Sequence, residues 1–183
     1  MWTIAEQTSL LKTPILEVQK LSILEDGVAL SHPYYRIHCP DWVNILPITA
    51  NNEALLIRQE RAGSMTQILE TPGGMVDAHE AKDPTASALR ELEEETAYTT
   101  QKLLFLGSLN PNPALHDNRI HFFLALACQL AQNRKHFPDT EERIEIVKVK
   151  VEDLEDMVRL GRIDHSLSAL CIFLAGKYIK IRS

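Results

Sequence analysis

The sequence predicts an α/β domain made of packed layers, preceded by a small antiparallel β unit. Three observations lead to this prediction. Residues 14–38 contain short, partly alternating apolar runs broken by turn sequences, strand-like runs continue through the centre of the chain, and residues 84–96 carry the start signals of a helix. Strands and helices mixed in this order are typical of layered α/β folds. With 183 residues, the chain is long enough for one main domain and a small accessory unit.

Apolar runs bounded by turn residues give the predicted strands. In the N-terminal part, Glu25-Asp26-Gly27 and His32-Pro33 separate these runs. In chain order, strands are predicted at 15–18, 28–30, 34–37, 42–48, 54–57, 67–70, 102–109, 118–130 and 143–151.

The clearest predicted helix spans residues 84–96. Asp83 can accept hydrogen bonds from the free N–H groups at its start, and Pro84 supplies a suitable φ at the first helical position. Two further helices are predicted near 151–160 and 165–178.

Composition and charge narrow the functional classes. The net charge of -6 disfavours nucleic acid as a partner, because binding a phosphate backbone needs a basic surface. Cys39, Cys128 and Cys171 are an odd number without zinc-site or disulfide spacing, which favours a reducing cytoplasm. The N-terminus lacks the pattern of a signal peptide and no apolar run reaches membrane-spanning length, so neither export nor a membrane partner is expected.

Three carboxylates fall on one face of the helix predicted at 84–96. Successive helical residues turn by about 100°, which places Glu91, Glu94 and Glu95 in one sector. Like charges on adjacent turns repel, whereas Mg²⁺ binds carboxylate oxygens together with phosphate oxygens and water. The face is therefore a candidate cation site, although a solvated acidic surface is the commoner explanation for such a pattern taken alone.

Upstream of this helix lies Thr71-Pro72-Gly73-Gly74. Two consecutive glycines permit close approaches of the backbone that side chains would block, so a backbone carbonyl can reach a metal there. Taken alone, Pro-Gly-Gly is an ordinary turn. Its position before the acidic helix makes it informative.

Together these segments resemble the Nudix box, in which Gly, five residues, Glu, seven residues and Arg-Glu-apolar-any-Glu-Glu-any-Gly-apolar follow one another. The matching positions are Gly74, Glu80 and residues 90–98, RELEEETAY. The chain departs from the family pattern at two points, because nine residues separate Glu80 from Arg90 and because Ala97 replaces a glycine. That last position often has a positive φ, which costs alanine about 1 kcal/mol.

The resemblance to Nudix hydrolases implies an α/β/α sandwich with a mixed sheet over residues 41–183. It implies that residues 1–40, the small β unit, help to form a homodimer. It also implies metal-assisted hydrolysis of a diphosphate, in which Mg²⁺, or alternatively Mn²⁺, neutralises the charge of the diphosphate and water attacks phosphorus.

Site residues follow from the same resemblance. Glu91 and Glu95 are implied as the principal metal ligands, Glu94 as a further ligand or catalytic water-binding group, and the Gly73 carbonyl as a backbone ligand. Arg90 is implied to serve catalysis by holding the carboxylates through charge-assisted hydrogen bonds. Without the resemblance, Arg90 would be an ordinary surface ion pair.

Outside the box, residues 12–178 resemble most closely the branch that hydrolyses ADP-ribose and other nucleoside diphosphate sugars. In this branch a proline beyond the box accompanies nucleotide-sugar substrates, and Pro113 is well placed for it. The segments that carry the resemblance are PDWVN at 40–44, LIRQER at 56–61, LETPGG at 69–74, NPNPA at 110–114 and NRIHFF at 118–123.

A nucleotide sugar needs a surface for the base, donors for the phosphates and hydrogen bonds for the sugar hydroxyls. Arg61 and Arg119 are candidate contacts to phosphate or ribose, Trp42 to the base, and Glu70 is a candidate acceptor near the base or sugar. The alternatives are a half-buried strand aromatic for Trp42 and an interface ion pair for Arg61.

The general base of this branch comes from a mobile loop late in the domain. Glu142 matches that position, with Glu141 next to it, just before the last predicted strand. The alternative is that both are loop carboxylates exposed to water.

The expected reaction converts ADP-ribose to AMP and ribose 5-phosphate, or a hexose analogue such as GDP-mannose to NMP and sugar 1-phosphate. One alternative is a Nudix hydrolase of dinucleoside polyphosphates or RNA 5′ ends, although RNA would favour a basic groove. The other is a non-catalytic nucleotide-sugar sensor. Such a sensor is expected to lack an essential carboxylate, whereas Glu91, Glu94 and Glu95 are all present.

Overall fold

A computed structural model describes the chain over residues 1–80, 83–138 and 143–179. Across these ranges, strands precede and follow a long helix, and shorter helices come last, which confirms the predicted α/β fold. In the same part of the chain, no helix has the length and apolar character required to cross a membrane.

The chain divides into two compact units. Residues 1–41 and 109–120 form the first unit, and residues 42–108 and 121–183 form the second. A segment from the middle of the sequence therefore belongs to the unit formed by the N-terminal residues.

The first unit is built on an antiparallel sheet, which has four strands in the described residues. These are β1 (Trp2–Lys12), β2 (Glu17–Glu25), β3 (Val28–Ala29) and β4 (Tyr34–His38). β2 is the central strand, because it pairs with β1 along one edge and with β3 and β4 along the other.

The sequence does not predict β1, and β2 extends well beyond the strand predicted at 15–18. All eleven residues of β1 are exposed. β1 is held by pairing with β2 from Trp2 opposite Glu25 to Lys12 opposite Glu17. Because no side chain of β1 is buried, the alternation of apolar and polar residues on which strand prediction depends is missing.

The second unit contains the main sheet and the helices. Its elements are β5 (Trp42–Thr49), β6 (Glu53–Arg61), β7 (Thr66–Glu70), β8 (Gly73–Met75), α1 (Pro84–Thr96), β9 (Tyr98–Thr99), β10 (Lys102–Leu109), β11 (Ile120–Leu130), β12 (Glu145–Lys150), a 3₁₀ turn (Val151–Asp153), α2 (Leu154–Arg159) and α3 (Ser166–Ala175). The strand order is β10-β11-β5-β6-β12, with β7 on β6, β8 on β5 and β9 on β11.

Helices cover both faces of this sheet. β5 is buried at every position but its first. On one face, Ile45 lies in a core cluster with Leu92 of α1. On the other face, Asn44 is hydrogen-bonded to Thr71, which is bonded to Ser168 of α3. The predicted α/β/α sandwich is therefore confirmed.

The helix α1 has the predicted bounds, Pro84–Thr96. Asp83 precedes it in an extended conformation, and its side chain accepts from the N–H of Thr85 at 3.0 Å. Ala97 follows it in the left-handed conformation, with φ 60°, and donates its N–H to the carbonyl of Glu93. Both predicted end signals are confirmed.

Replacing Ala97 with glycine is expected to stabilise the protein by roughly 0.5–1 kcal/mol, because glycine adopts the left-handed conformation without the steric cost that alanine carries. Urea unfolding followed by circular dichroism measures the change. Ala86→Gly, at an exposed position inside α1, should instead lose about 1 kcal/mol. An A97G protein no more stable than the wild type would contradict the strain assigned to Ala97.

Candidate active site

Gly73 and Gly74, at the start of β8, lie directly against the acidic face of α1. A Cβ atom on Gly74 would be 2.4 Å from Oε1 of Glu91, so the Glu91 carboxylate occupies the space beside this backbone. The N–H of Gly73 donates to Oε2 of Glu95 at 2.8 Å. The absence of a side chain at position 74 therefore leaves room for the Glu91 carboxylate. We call Gly73 and Gly74 the glycine turn.

Arg90 connects the carboxylates of Glu91 and Glu94 on α1. Its Nη1 donates to Oε1 of Glu91 at 2.9 Å and to Oε2 of Glu94 at 2.8 Å. Its Nη2 donates to the carbonyl of Met75 at 3.2 Å. Burial lowers the pKa of Arg90, but the charges of Glu91 and Glu94 outweigh burial and raise this pKa above its ordinary value. Arg90 therefore stays charged and restrains both carboxylates.

Glu95 is nearly buried, with 9% of its surface exposed. Burial, together with the negative charge of Glu91, raises the pKa of Glu95 well above its ordinary value, and the Gly73 N–H and the charge of Arg61 oppose this only in part. The two carboxylates thus bring more negative charge to this point than the surrounding groups neutralise. A hard divalent cation with oxygen ligands would correct the imbalance, so these residues fit Mg²⁺ or Mn²⁺.

A second group of polar side chains lies in the loop before α1. Asp77, His79 and Glu80 each offer one ligand atom, and these atoms lie within 4.8 Å of one another. Nε of Arg90 is 3.4 Å from Oδ2 of Asp77. Asp77 and His79 are exposed to solvent, and solvation alone satisfies exposed charges, so the geometry does not require a metal here.

Glu70, at the end of β7, is buried between two basic side chains. Nε of Arg61 donates to its Oε1 at 2.7 Å, and Nδ1 of His165 lies 2.9 Å from its Oε2. Burial raises the pKa of Glu70, but the hydrogen bonds from His165 and Arg61 outweigh burial and hold this pKa below its ordinary value. Glu70 is therefore a carboxylate whose two oxygens already have partners in the protein.

A buried polar network connects this group to the glycine turn. The N–H of Thr71 donates to Oγ of Ser168 at 2.9 Å, and the Thr71 hydroxyl donates to Oδ1 of Asn44 at 2.7 Å. Asn44 is paired with Gly73 across β5 and β8. Nδ1 of His165 lies 2.9 Å from Oγ of Ser168. The start of α3 is therefore tied to the segment that leads into the turn.

Gln59 lies on the same sheet face as Arg61, because alternate residues of a strand share a face. Gln59 is 8% exposed, and its Nε2 has no hydrogen-bond partner among the described residues. A buried donor without a partner is costly unless a ligand or water satisfies it. Gln59 is therefore a further candidate for contact with a substrate.

Comparison with known proteins identifies the family to which this arrangement belongs. A family model described as NUDIX domain matches residues 40–168. The chain belongs to the NUDIX family. The matched range includes the glycine turn, the acidic face of α1 and Arg61, Glu70 and His165, so the resemblance seen in the box motif is confirmed.

Individual relatives agree with the NUDIX assignment. An ADP-ribose pyrophosphatase of Bacillus subtilis (strain 168) is 30% identical over 133 residues, which cover 73% of this chain and 70% of the relative. The methanol dehydrogenase activator of Bacillus methanolicus is 28% identical over 133 residues, which cover 73% of this chain and 70% of that relative. The family match and the ADP-ribose pyrophosphatase relative make the chain a Nudix pyrophosphohydrolase, as predicted.

A solved structure shares the NUDIX fold of this chain. The crystal structure of an ADP compounds hydrolase aligns with a TM-score of 0.82 and 21% identity, over 98% of this chain and 94% of that one. At this level of identity the likeness shows the fold.

The structure brings together those predicted metal-binding and catalytic residues that it describes. Around the glycine turn of this NUDIX domain lie Gly73, Arg90, Glu91, Glu94 and Glu95. Their individual roles stay predictions, because the geometry defines their contacts and not their chemistry.

The remaining predicted residues are not part of this set. Glu141 and Glu142, the predicted general base, are outside the described residues. Pro113 and Arg119 belong to the first unit, where both are exposed. Trp42 is half-buried at the start of β5.

The sequence does not single out Gln59, His165 or Ser168. Gln59 stands in the segment LIRQER, two residues before Arg61. The period of a strand places both side chains on one face, and this is the signal that marks Gln59. His165 is the first residue of the helix predicted at 165–178, but nothing in the local pattern indicates that it reaches Glu70, since that contact joins distant parts of the chain. No local signal marks Ser168.

Gly73 and Gly74 are expected to respond differently to alanine. At Gly73, a Cβ atom would be 2.3 Å from the carbonyl oxygen of Val43, which is held in the sheet, so Gly73→Ala should lower the free energy of unfolding by about 1–3 kcal/mol. At Gly74 the clash is with the end of the Glu91 side chain. Gly74→Ala should therefore cost at most about 1 kcal/mol while displacing the carboxylate. Denaturant unfolding and crystal structures of both variants measure these effects.

Gly63→Ala is the matched control. No atom lies within 4 Å of a Cβ added at Gly63, so the stability should stay within about 0.5 kcal/mol of the wild type. Equal stabilities of the three variants, or an unmoved Glu91 in the Gly74 variant, would contradict the close packing described for the glycine turn.

Proposed function

We propose that this Nudix hydrolase cleaves the diphosphate of nucleoside diphosphate sugars and converts ADP-ribose to AMP and ribose 5-phosphate. Hexose analogues such as GDP-mannose, which give NMP and sugar 1-phosphate, are proposed as further substrates. The main support is the carboxylate pair Glu91 and Glu95 against the glycine turn, within range of the charge of Arg61. The name of the Bacillus subtilis relative, ADP-ribose pyrophosphatase, supports the substrate class.

The proposed cation is Mg²⁺, with Mn²⁺ as the alternative. Glu91, Glu95 and the Gly73 carbonyl are proposed to hold it, and Glu94 is proposed as a further ligand or as the group that binds the attacking water. When bound, such a cation neutralises the charge of the diphosphate and lowers the pKa of water. Arg90 keeps Glu91 and Glu94 in place through two hydrogen bonds.

Arg61 is proposed to bind the diphosphate, because its Nε is anchored by Glu70 and its charge acts on Glu95. The amide of Gln59 is proposed to donate to the same ligand, which would satisfy a buried donor. The remaining substrate contacts, which stay predictions, are those of Trp42, Glu70, Pro113 and Arg119.

Glu142, or its neighbour Glu141, is proposed as the general base that accepts the proton of the attacking water. The support is the position of these residues shortly before β12, which begins at Glu145. Both residues lie outside the part of the chain that the structure describes.

A cytoplasmic location is proposed from the cysteines, which are free thiols. Burial raises the pKa of Cys128 to about 12 and raises that of Cys171 as well. Buried thiols of this kind are unreactive and form no cross-links. Cell fractionation tests the location.

The proposed function predicts Mg²⁺-dependent release of AMP and ribose 5-phosphate from ADP-ribose. Glu95→Gln should lower kcat about 100-fold or more, because it removes a charge that holds the cation. EDTA should abolish the activity and Mg²⁺ should restore it. Ion-exchange chromatography of the products measures turnover of ADP-ribose, GDP-mannose, UDP-glucose, dinucleoside polyphosphates and triphosphorylated RNA.

Glu155→Gln is the control for this experiment. Glu155 pairs with Arg159 on α2. This helix is distant in sequence from the proposed metal ligands, so loss of the Glu155 charge should leave kcat unchanged. Turnover confined to dinucleoside polyphosphates or RNA would keep the Nudix chemistry and refute the nucleotide-sugar substrate. Binding of ADP-ribose without cleavage would indicate a sensor.

We also propose a homodimer formed through the first unit. β1 pairs with β2 along one edge, and among the described strands it has no partner along the other. Ile4, Leu10 and Leu11 on β1 are each about half exposed. An exposed apolar edge strand is an unfavourable surface unless another chain covers it.

Light scattering should give twice the mass of one chain for the wild type. The double variant Ile4→Glu with Leu10→Glu should give the mass of one chain, because charges on an edge strand oppose its burial. Leu160→Glu, which changes an exposed leucine of the second unit, should leave the dimer intact. A wild-type protein with the mass of a single chain would refute the proposed homodimer.

A further inference from the structure

The surroundings of Glu70 include a basic side chain, His165, that has no role in the proposed reaction. His165 precedes α3, and its side chain makes no capping bond to that helix. Its Nδ1 instead lies 2.9 Å from Oε2 of Glu70, a residue that is 1% exposed. The Nδ1 atom of the imidazole thus faces a buried carboxylate.

The neighbouring hydrogen bonds assign a proton to Nδ1 of His165. Oγ of Ser168 lies 2.9 Å from the N–H of Thr71 and 3.0 Å from its hydroxyl, and it accepts from Thr71. Oε1 of Glu70 already accepts from Nε of Arg61 at 2.7 Å, so Glu70 is a carboxylate that accepts from its neighbours. The contact between His165 and Glu70 is therefore an Nδ1–H···Oε2 hydrogen bond, whether the ring is neutral or charged.

The other oxygen of Glu70 orients Arg61. Nε of Arg61 donates to Oε1 at 2.7 Å. Because the guanidinium group is planar and rigid, a bond at Nε also sets the directions of Nη1 and Nη2. Neither of these nitrogens has a hydrogen-bond partner among the described residues. The outer donors of Arg61 are therefore available to a ligand, in a direction that Glu70 determines.

We propose that His165 is a positioning residue for the arginine that binds the diphosphate. By holding Oε2, His165 prevents the Glu70 carboxylate from rotating, so that Oε1 keeps Arg61 in the orientation in which Nη1 and Nη2 meet the phosphate oxygens. This inference rests on the proposed function of Arg61. His165 acts through Glu70 and does not touch the reacting atoms.

The buried network supports this role. His165 is also 2.9 Å from Ser168, which is completely buried and accepts the N–H of Thr71. The same nitrogen, Nδ1, therefore contacts both the buried hydroxyl of Ser168 and the carboxylate of Glu70, which fixes its position. Such second partners reduce the freedom of a ligand-binding side chain and so favour its bound conformation.

Two amide variants distinguish the two nitrogen atoms of the ring. Asparagine places an amide nitrogen where Nδ1 stands, whereas glutamine places one near Nε2. His165→Gln should raise KM for ADP-ribose about tenfold, the effect of losing one hydrogen bond to a buried charge, with kcat little changed. His165→Asn should keep KM near the wild-type value. Ser166→Ala, at the next and exposed position, should change neither constant.

A second measurement does not depend on catalysis. The Nε–H of Arg61 gives a signal in ¹H–¹⁵N spectra, identified by its absence in Arg61→Lys. This proton should exchange slowly with water in the wild type and in H165N, because the bond to Glu70 protects it. In H165Q the exchange should be faster.

Equal increases of KM in H165N and H165Q would overturn the inference, because the ring and not its Nδ1–H would then be responsible. An unchanged Arg61 signal in H165Q would overturn it as well. If the wild-type protein does not cleave ADP-ribose, the proposed function fails while the Arg61 signal still decides the role of His165. Any loss of stability from removing the imidazole is common to both variants and cancels in their comparison.

Discussion

The close packing of two carboxylates against the glycine turn is the constraint around which the second unit is arranged. Glu91 fills the space that a Cβ atom would take at Gly74, and Glu95 accepts the N–H of Gly73. Bringing two negative charges together with this degree of burial is unfavourable. Arg90 offsets only part of that charge, so the arrangement is suited to a cation before any substrate arrives.

The packing of the domain holds this turn from both faces of the sheet. Leu92 places α1 in the core, and burial of that apolar face sets the opposite, acidic face towards the turn. Thr71 and Ser168 attach α3 from the other side of β5. The same network reaches Glu70, so the supports of the proposed cation site and of Arg61, the proposed ligand of the diphosphate, are parts of one hydrogen-bonded structure.

Much of the site could be predicted because its signals are local. The bounds of α1, its capping by Asp83 and the left-handed Ala97 follow from residues within a few positions of each other. The common face of the three carboxylates likewise needs only the period of a helix. In contrast, β1 escapes prediction because it has no buried face, and its strand conformation depends on pairing with β2.

The sequence by itself determined the Nudix box, the α/β class and the acidic face of α1, since each rests on spacing within a short segment. The tertiary structure alone decided that Glu70 is buried between Arg61 and His165. It also decided that the buried amide of Gln59 has no hydrogen-bond partner within the described part of the chain. These features arise where strands and helices distant in sequence meet. The physical reason is that burial and hydrogen-bond partners are properties of the packed chain, whereas propensity and periodicity belong to its segments.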